Sequence, residues 1–390
     1  MKTYLLLFVA VFGIGAANLS AQSAKVDTFG KGIVFTPEDS SYQVKLGARF
    51  QTLYSGTFDL DSDDYSDQLL TRRARLKFEG FVYSPNLKYK FQLALANRGT
   101  RNSSSAGIPQ NSATANIVLD AAIKYEFAEN WEVWFGQEKL PGNREQLFSS
   151  QKLQFVDRSL VNSQFNLGRD VGIHLLNTST IGDGVVKTRV ALAMGEGRNI
   201  TSGNEGGYDY SGRVEYLPFG NFTNKGDYFG GDLEREVSPK LSVAASFDYN
   251  DGATRSRGQQ GGFVSDNGGN LIQNDLTTVF LDAIFKSNGF SLLSEFASKS
   301  GNDDLTGFGT GSGFVAQAGY LFMNNVETAV RFTTINPDDV SSLSNVNEYT
   351  LGLSKYIVGH NLKVQTDLSY SDYDMASNDI TYRFQIEVAF

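Results

Sequence analysis

The chain has 390 residues, no cysteine, 40 glycines against 7 prolines, and 29 phenylalanines with 18 tyrosines. It is long for a single β-sandwich, no disulfide can staple its loops, and a formal charge of −9 argues against a nucleic-acid partner. Beyond residue 21 no apolar run approaches the roughly 20 residues of a membrane helix, so any bilayer crossing must be made by a closed barrel.

Lys2, the apolar stretch 4–17 and the small residues before Gln22 predict a signal peptide over residues 1–21. No cysteine follows the cleavage site, which excludes a lipid anchor through that residue. Residues 22–41 lack a strong period and read as a short periplasmic N-terminal segment.

From Tyr42 the sequence alternates. Tyr42, Val44, Leu46, Ala48 and Phe50 share one face, and Gln43, Lys45, Gly47, Arg49 and Gln51 the other. Residues 59–67 interrupt the pattern with Asp59, Asp61, Asp63, Asp64 and Asp67. They lack the ordered spacing of a calcium loop and read as a solvated outer loop. The second strand sets Ala74, Leu76, Phe78 and Val82 against Arg73, Arg75, Lys77 and Glu79. After a turn at 84–86, the third sets Leu87, Tyr89, Phe91, Leu93 and Leu95 against Lys88, Lys90 and Gln92.

The pattern repeats at 117–127, from Trp131, and near 170–177, 185–195, 208–217, 240–250, 276–286, 289–297, 313–322, 326–335, 347–356 and 361–371. Polar, glycine-rich connections, such as 98–115, 139–169 and 251–275, alternate with short turns. The exception is 218–239, which falls where a short turn belongs and has no account in the sequence. Residues 380–390 close the series, with Ile380, Tyr382, Phe384, Ile386, Val388 and Phe390 on one face. That segment resembles the C-terminal strand of bacterial outer-membrane barrels. The resemblance makes Phe390 an assembly signal for the barrel-assembly machinery. The expected fold is all-β: a transmembrane antiparallel barrel over 42–390, with about 16 strands and a long third outer loop. A barrel of that size is too wide for side chains to fill and holds a water-filled channel.

If Ala74, Leu76 and Phe78 face lipid, then Lys45, Arg49, Arg73, Arg75, Lys77, Lys88 and Lys90 face the lumen, with Glu79 among them. Ladders of Arg and Lys are how anion pores select, and Arg can fork two donors onto a phosphate. Later strands offer Asp120, Glu126, Asp209, Glu215, Asp248, Glu295, Glu327, Glu348, Asp367 and Glu387 to the lumen. An acidic wall facing the basic one would give the transverse field of a general diffusion pore. Gly307, Gly309, Gly311 and Gly313 have no strand-to-helix context and read as a flexible loop. Of the two histidines, His174 reads as a lumen-facing strand residue. No catalytic residue, metal ligand or cofactor is called for. Trp131, Tyr125, Tyr216 and Tyr356 read as interfacial aromatics.

Two stretches carry a family resemblance. Residues 71–83, TRRARLKFEGFVY, resemble the early Arg-rich strand of the phosphate-selective porins of the O and P type. Residues 145–175 resemble that family's long third loop and the strand after it. The matching features are Ser149-Ser150, Phe155 with Asp157-Arg158-Ser159, and Arg169-Asp170 before Gly172. The resemblance implies a loop that folds inward and narrows the barrel, with Lys139, Arg144, Lys152, Arg158 and Arg169 adding to its positive field. It also implies a homotrimer in outer-membrane lipid that passes phosphate or similar small anions. A general diffusion pore for small polar solutes remains an alternative, as does a closed barrel acting as adhesin or scaffold.

Overall fold

The computed structural model describes residues 25–26, 29–96, 116–199 and 204–390; the expected signal peptide and the serine-rich connection 98–115 lie outside them. Two short strands, β1 (Lys25–Val26) and β2 (Ile33–Phe35), precede the barrel. Its first half is β3 (Tyr42–Asp59), β4 (Tyr65–Val82), β5 (Ser84–Ala94), β6 (Val118–Ala128), β7 (Trp131–Lys139), β8 (Arg169–Ile181), β9 (Gly184–Ala193) and β10 (Asp209–Leu217). Its second half is β11 (Lys240–Ala253), β12 (Asn274–Ser287), β13 (Phe290–Gly301), β14 (Gly311–Leu321), β15 (Val326–Pro337), β16 (Val346–Val358), β17 (Leu362–Tyr373) and β18 (Asp379–Ala389).

Each of β3 to β18 pairs antiparallel with its chain neighbours, and β18 returns to β3 with Ile386 opposite Thr52, so sixteen strands close a barrel. Closure leaves no open edge for lipid to meet. The seam is saturated beyond the end of β18. Phe390 and Ala48 exchange backbone hydrogen bonds of 2.9 and 2.8 Å. Past them β2 takes over the same edge of β3, with Ile33 opposite Leu46. Residues before Tyr42 thus extend the barrel ladder.

Alternation places apolar side chains outward, where Ile123, Phe135, Phe247 and Leu351 are exposed. Trp131, Tyr125 and Tyr216 share that face. Tyr356 does not: it is buried, and its hydroxyl donates to Glu327 Oε2 at 2.6 Å. Its even number puts it in phase with the luminal Glu348, so the lumen, not a lipid interface, holds its ring. The outer loop at 59–67 is also shorter than its acidic composition implies. Tyr65 and Asp67 belong to β4, paired with Phe58 and Gly56, and the turn is confined to 60–64. Tyr65 bonds Tyr54 across the pair at 2.5 Å.

The connection 140–168 does not leave the barrel. It carries two short helices, α1 (Arg144–Leu147) and α2 (Leu160–Phe165), and α2 lies against β13, β14 and β15. Val161, Phe165 and Leu167 join luminal Phe280, Ala297, Val315 and Ile335 in one buried apolar cluster. Glycines on the inner wall make room for it. A Cβ at Gly313 would lie 2.8 Å from the Phe165 ring, and one at Gly352 2.8 Å from the Phe155 ring. Gly311 and Gly313 are β14 residues, not part of a loop, and Gly313 lies beneath the inward segment. Gly352→Val is expected to destabilise the folded barrel by about 1–3 kcal/mol through overpacking, read as an earlier thermal loss of the heat-modifiable form on gels.

Candidate functional site

The basic wall starts from strand pairing. On β3 and β4, Arg49 lies opposite Arg75, Gly47 opposite Lys77, and Lys45 opposite Glu79. A register shift after Gln51 pairs Gln51 with Arg73 and Thr52 with Thr71, leaving Arg72 as an extra residue. Strict alternation would send Arg72 to lipid. A β-bulge re-aims a side chain by adding one unpaired residue, and here Arg72 and Arg73 both reach Asp157 of the inward segment, Arg73 at 2.9 Å.

Most of the predicted cations have carboxylate partners. Lys45 and Lys77 share Glu79 at 3.6 and 2.5 Å. Arg49 pairs with Glu387 at 3.0 Å and donates to Ser150 Oγ at 2.7 Å. Lys90 meets Glu138 at 2.8 Å and Asp120 at 3.1 Å. Asp120 also takes Arg169, at 2.6 Å. Arg75 differs. Among the described residues it has no ion pair and its Nε is buried without a partner, and it faces Arg49 across the ladder. Like charges directly opposed on a sheet are destabilising, so this position stores repulsion that an anion would relieve.

These side chains line a cavity of about 1080 Å³. It runs along the β3–β4 wall from Arg198, Arg257 and Gln260 at the long-loop end to Lys31, Gly32 and Asn361 at the short-turn end. Among the described residues, fifteen cationic side chains border it against three carboxylates, Glu79, Asp120 and Asp157. A second cavity of about 1020 Å³ adjoins it and shares Lys90, Lys139, Leu147, Lys152, Tyr228 and Phe229.

The loop cations divide. Lys139 and Lys152 border both cavities, and Arg158 and Arg169 border the first. Arg158 is held by the backbone oxygens of Glu145 and Phe148, at 2.7 and 2.8 Å, which leaves its charge without a carboxylate ion pair. Arg144 is a correction. It is fully buried, donates to Asp282 at 2.6 Å and Ser242 at 2.9 Å, and lines neither cavity. Lys88 is another. It pairs with Glu126 at 3.2 Å and borders neither cavity. Sequence reading missed Arg72, Arg198, Arg257 and Lys31, which sit on a bulge or on connections where alternation gives no phase.

Part of the expected acidic wall is covered by the inward segment. Glu295 accepts from Asn143 Nδ2 and Glu145 N, at 3.4 and 3.1 Å. Glu327 accepts from Gln154 at 2.8 Å, and Asp367 from Val156 N at 3.0 Å and Arg383 at 2.6 Å. The inward segment thus covers Glu295, Glu327 and Asp367, while Glu126 and Glu215 border the second cavity and Asp120 the first. His174 is buried beside Trp134 with Nδ1 3.1 Å from Arg189, a structural position.

Similar architecture occurs in solved structures. An anion-selective porin from Comamonas acidovorans is 14% identical, with a TM-score of 0.58 over 90% of this chain and 100% of that one. OprB of Pseudomonas putida is 11% identical, with a TM-score of 0.56 over 89% and 94%. The trimer form of OmpT from Vibrio cholerae is 9% identical, with a TM-score of 0.53 over 90% and 100%. The search of curated proteins found no match. The family profile for phosphate-selective porin O and P matches residues 44–382, nearly the whole barrel, and the chain belongs to that family.

Proposed function

We propose that this porin passes small anions, phosphate among them, by passive diffusion across the bacterial outer membrane, and that it does so as a homotrimer. The observation that carries the reading is the charge of the end-to-end cavity, fifteen cations against three carboxylates. Charges on a protein wall around an aqueous lumen act at a lower effective dielectric than in bulk water, which strengthens each of them. Arg75 supplies an unpaired guanidinium, and Arg49, Arg73 and Arg169 lie on the same cavity, so an oxyanion passing there meets several charged donors in turn. An anion-selective porin and an outer-membrane protein in trimer form among the structural neighbours agree with this.

The test is single-channel recording in a planar bilayer under a salt gradient. Stepwise conductance with a zero-current potential of anion-selective sign supports the reading, and lower chloride conductance on adding phosphate supports phosphate as a solute. A cation-selective or silent barrel would overturn it.

The same recordings give a pH dependence. Burial, with Lys77 alongside, pushes the Lys152 ammonium down to about 8. Lys152 is therefore mostly charged at about pH 7 and mostly neutral at about pH 9, while the arginines stay charged. Anion selectivity is expected to fall as pH rises through that window. Lys152→Met should remove the step; an unchanged step would assign it to another group.

A further inference from the structure

Residues 218–239 connect β10 to β11 at the end where the other turns are short. They do not hang below the barrel. Phe222 packs with Phe148 and Leu153 of the inward segment and with luminal Val185, Leu217 and Ile284. Tyr228 donates to Glu215 at 2.7 Å, Lys187 reaches Asp227 at 2.6 Å, and Lys286 Nζ donates to the Phe229 oxygen at 2.9 Å. Gly289 N and Glu236 N both bond Asp232. The segment is fastened to the inner wall over its length.

It also meets the segment that enters from the opposite end. Gly230 N donates to the Lys152 oxygen at 2.7 Å, and Arg144 Nη1 to the Asp227 oxygen at 3.0 Å. The Lys152 ammonium stands 3.2 Å from the Phe229 ring centroid. Only glycine fits at position 230, because a Cβ there would lie 2.5 Å from Gln154 N. Tyr228 and Phe229 border both cavities, so the place where the two segments touch is also where the open space divides.

We propose that residues 218–239 are a second constriction element, built from the short-turn end, in which Phe229 is a positioning residue that holds the Lys152 charge at the junction of the two cavities. A ring face holds an ammonium by its quadrupole while leaving the ion's other side open to solvent and solute. A carboxylate partner at that position would instead cancel the charge. The two segments thus narrow the pore together, and the cation they present belongs to their contact, not to either alone. The inference rests on the anion-pore reading for its selectivity arm, and its conductance arm does not.

The experiment is bilayer recording of Phe229→Ala, Phe229→Tyr, Lys152→Met and the double variant Lys152→Met with Phe229→Ala. Loss of the ring should lower the anion-to-cation permeability ratio about two- to threefold, and tyrosine should restore it. In the Lys152→Met background, removing the ring should change the ratio no further, because the two act as one unit. Replacing 221–237 by a short turn should raise single-channel conductance. An unchanged ratio in Phe229→Ala, or an equal effect with and without Lys152, would overturn the proposal. So would unchanged conductance in an excised barrel that still assembles. If excision prevents assembly, the point variants decide. A parent channel without anion selectivity would sink the anion reading, and the conductance of the excised barrel would then judge the constriction separately.

Discussion

Arg75→Glu is expected to reduce the anion-to-cation permeability ratio about tenfold or more while the barrel still inserts and stays heat-modifiable. The size follows from Coulomb's law. Two unit charges about 4 Å apart interact by about 1 kcal/mol in water and about 4 kcal/mol where the effective dielectric is near 20. The substitution changes the local charge by two units in a confined lumen, and each 1.4 kcal/mol or so is a factor of ten. Folding should be spared because Arg75 forms no ion pair among the described residues and already faces Arg49; a carboxylate there would gain a partner. Combining it with Arg73→Glu should reverse the sign of the zero-current potential. Arg73 also holds Gln51 at 2.8 Å and Asp157 at 2.9 Å. The double variant should therefore loosen the inward segment and add open-channel noise, which the single variant should not. The effect of Arg75→Glu should shrink as ionic strength rises and the screening length shortens from about 10 Å at 0.1 M. If Arg75→Glu inserts normally and keeps the parent selectivity, the field that selects lies elsewhere.

The contrast between Arg75 and Arg73 shows what the sequence could and could not reveal. Alternation along 42–51 and 73–79 is a local property of the pleat, so the side of the wall on which Lys45, Arg49, Arg75 and Lys77 stand was legible. The sixteen strands and the alternation of long and short connections followed from the same period. What pairs with what was not legible. Arg73 and Asp157 are 84 positions apart, Arg144 and Asp282 are 138, and Val156 and Asp367 are 211. No pattern within one strand encodes such a contact. Arg144 and Arg158 look equivalent as loop cations, and only packing separates the buried, paired one from the one on the cavity. Arg72 was hidden because a bulge shifts phase without altering composition. The glycines at 313 and 352 were visible, but their meaning, a seat for Phe165 and Phe155, depends on a segment that arrives from elsewhere in the chain.

That seat determines what should happen when the inward segment is removed. Replacing residues 143–166 by a short turn is expected to raise single-channel conductance severalfold and bring the permeability ratio near unity, a loss of selectivity that removal of a steric block alone does not explain. The segment carries three cations, Arg144, Lys152 and Arg158, and two carboxylates, Glu145 and Asp157. Its own net charge is small, so the selectivity change comes mainly from what it uncovers. Glu295 loses Asn143 and Glu145 N, and Glu327 keeps only the Tyr356 hydroxyl of its hydrogen bonds with Gln154 and Tyr356. On the opposite wall Arg72 and Arg73 lose Asp157 and become free cations. Acidic and basic walls would then face each other across water, and a transverse field orients dipoles without favouring either sign of ion. The cost to the fold is exposure of Phe280, Val315 and Ile335, which the segment now buries. A lower melting temperature should accompany the functional change. A shortened barrel that keeps both the parent conductance and the parent selectivity would place the segment outside the permeation path. One that gains conductance yet stays anion-selective would show that the β3–β4 wall sets the field without the covering of Glu295 and Glu327.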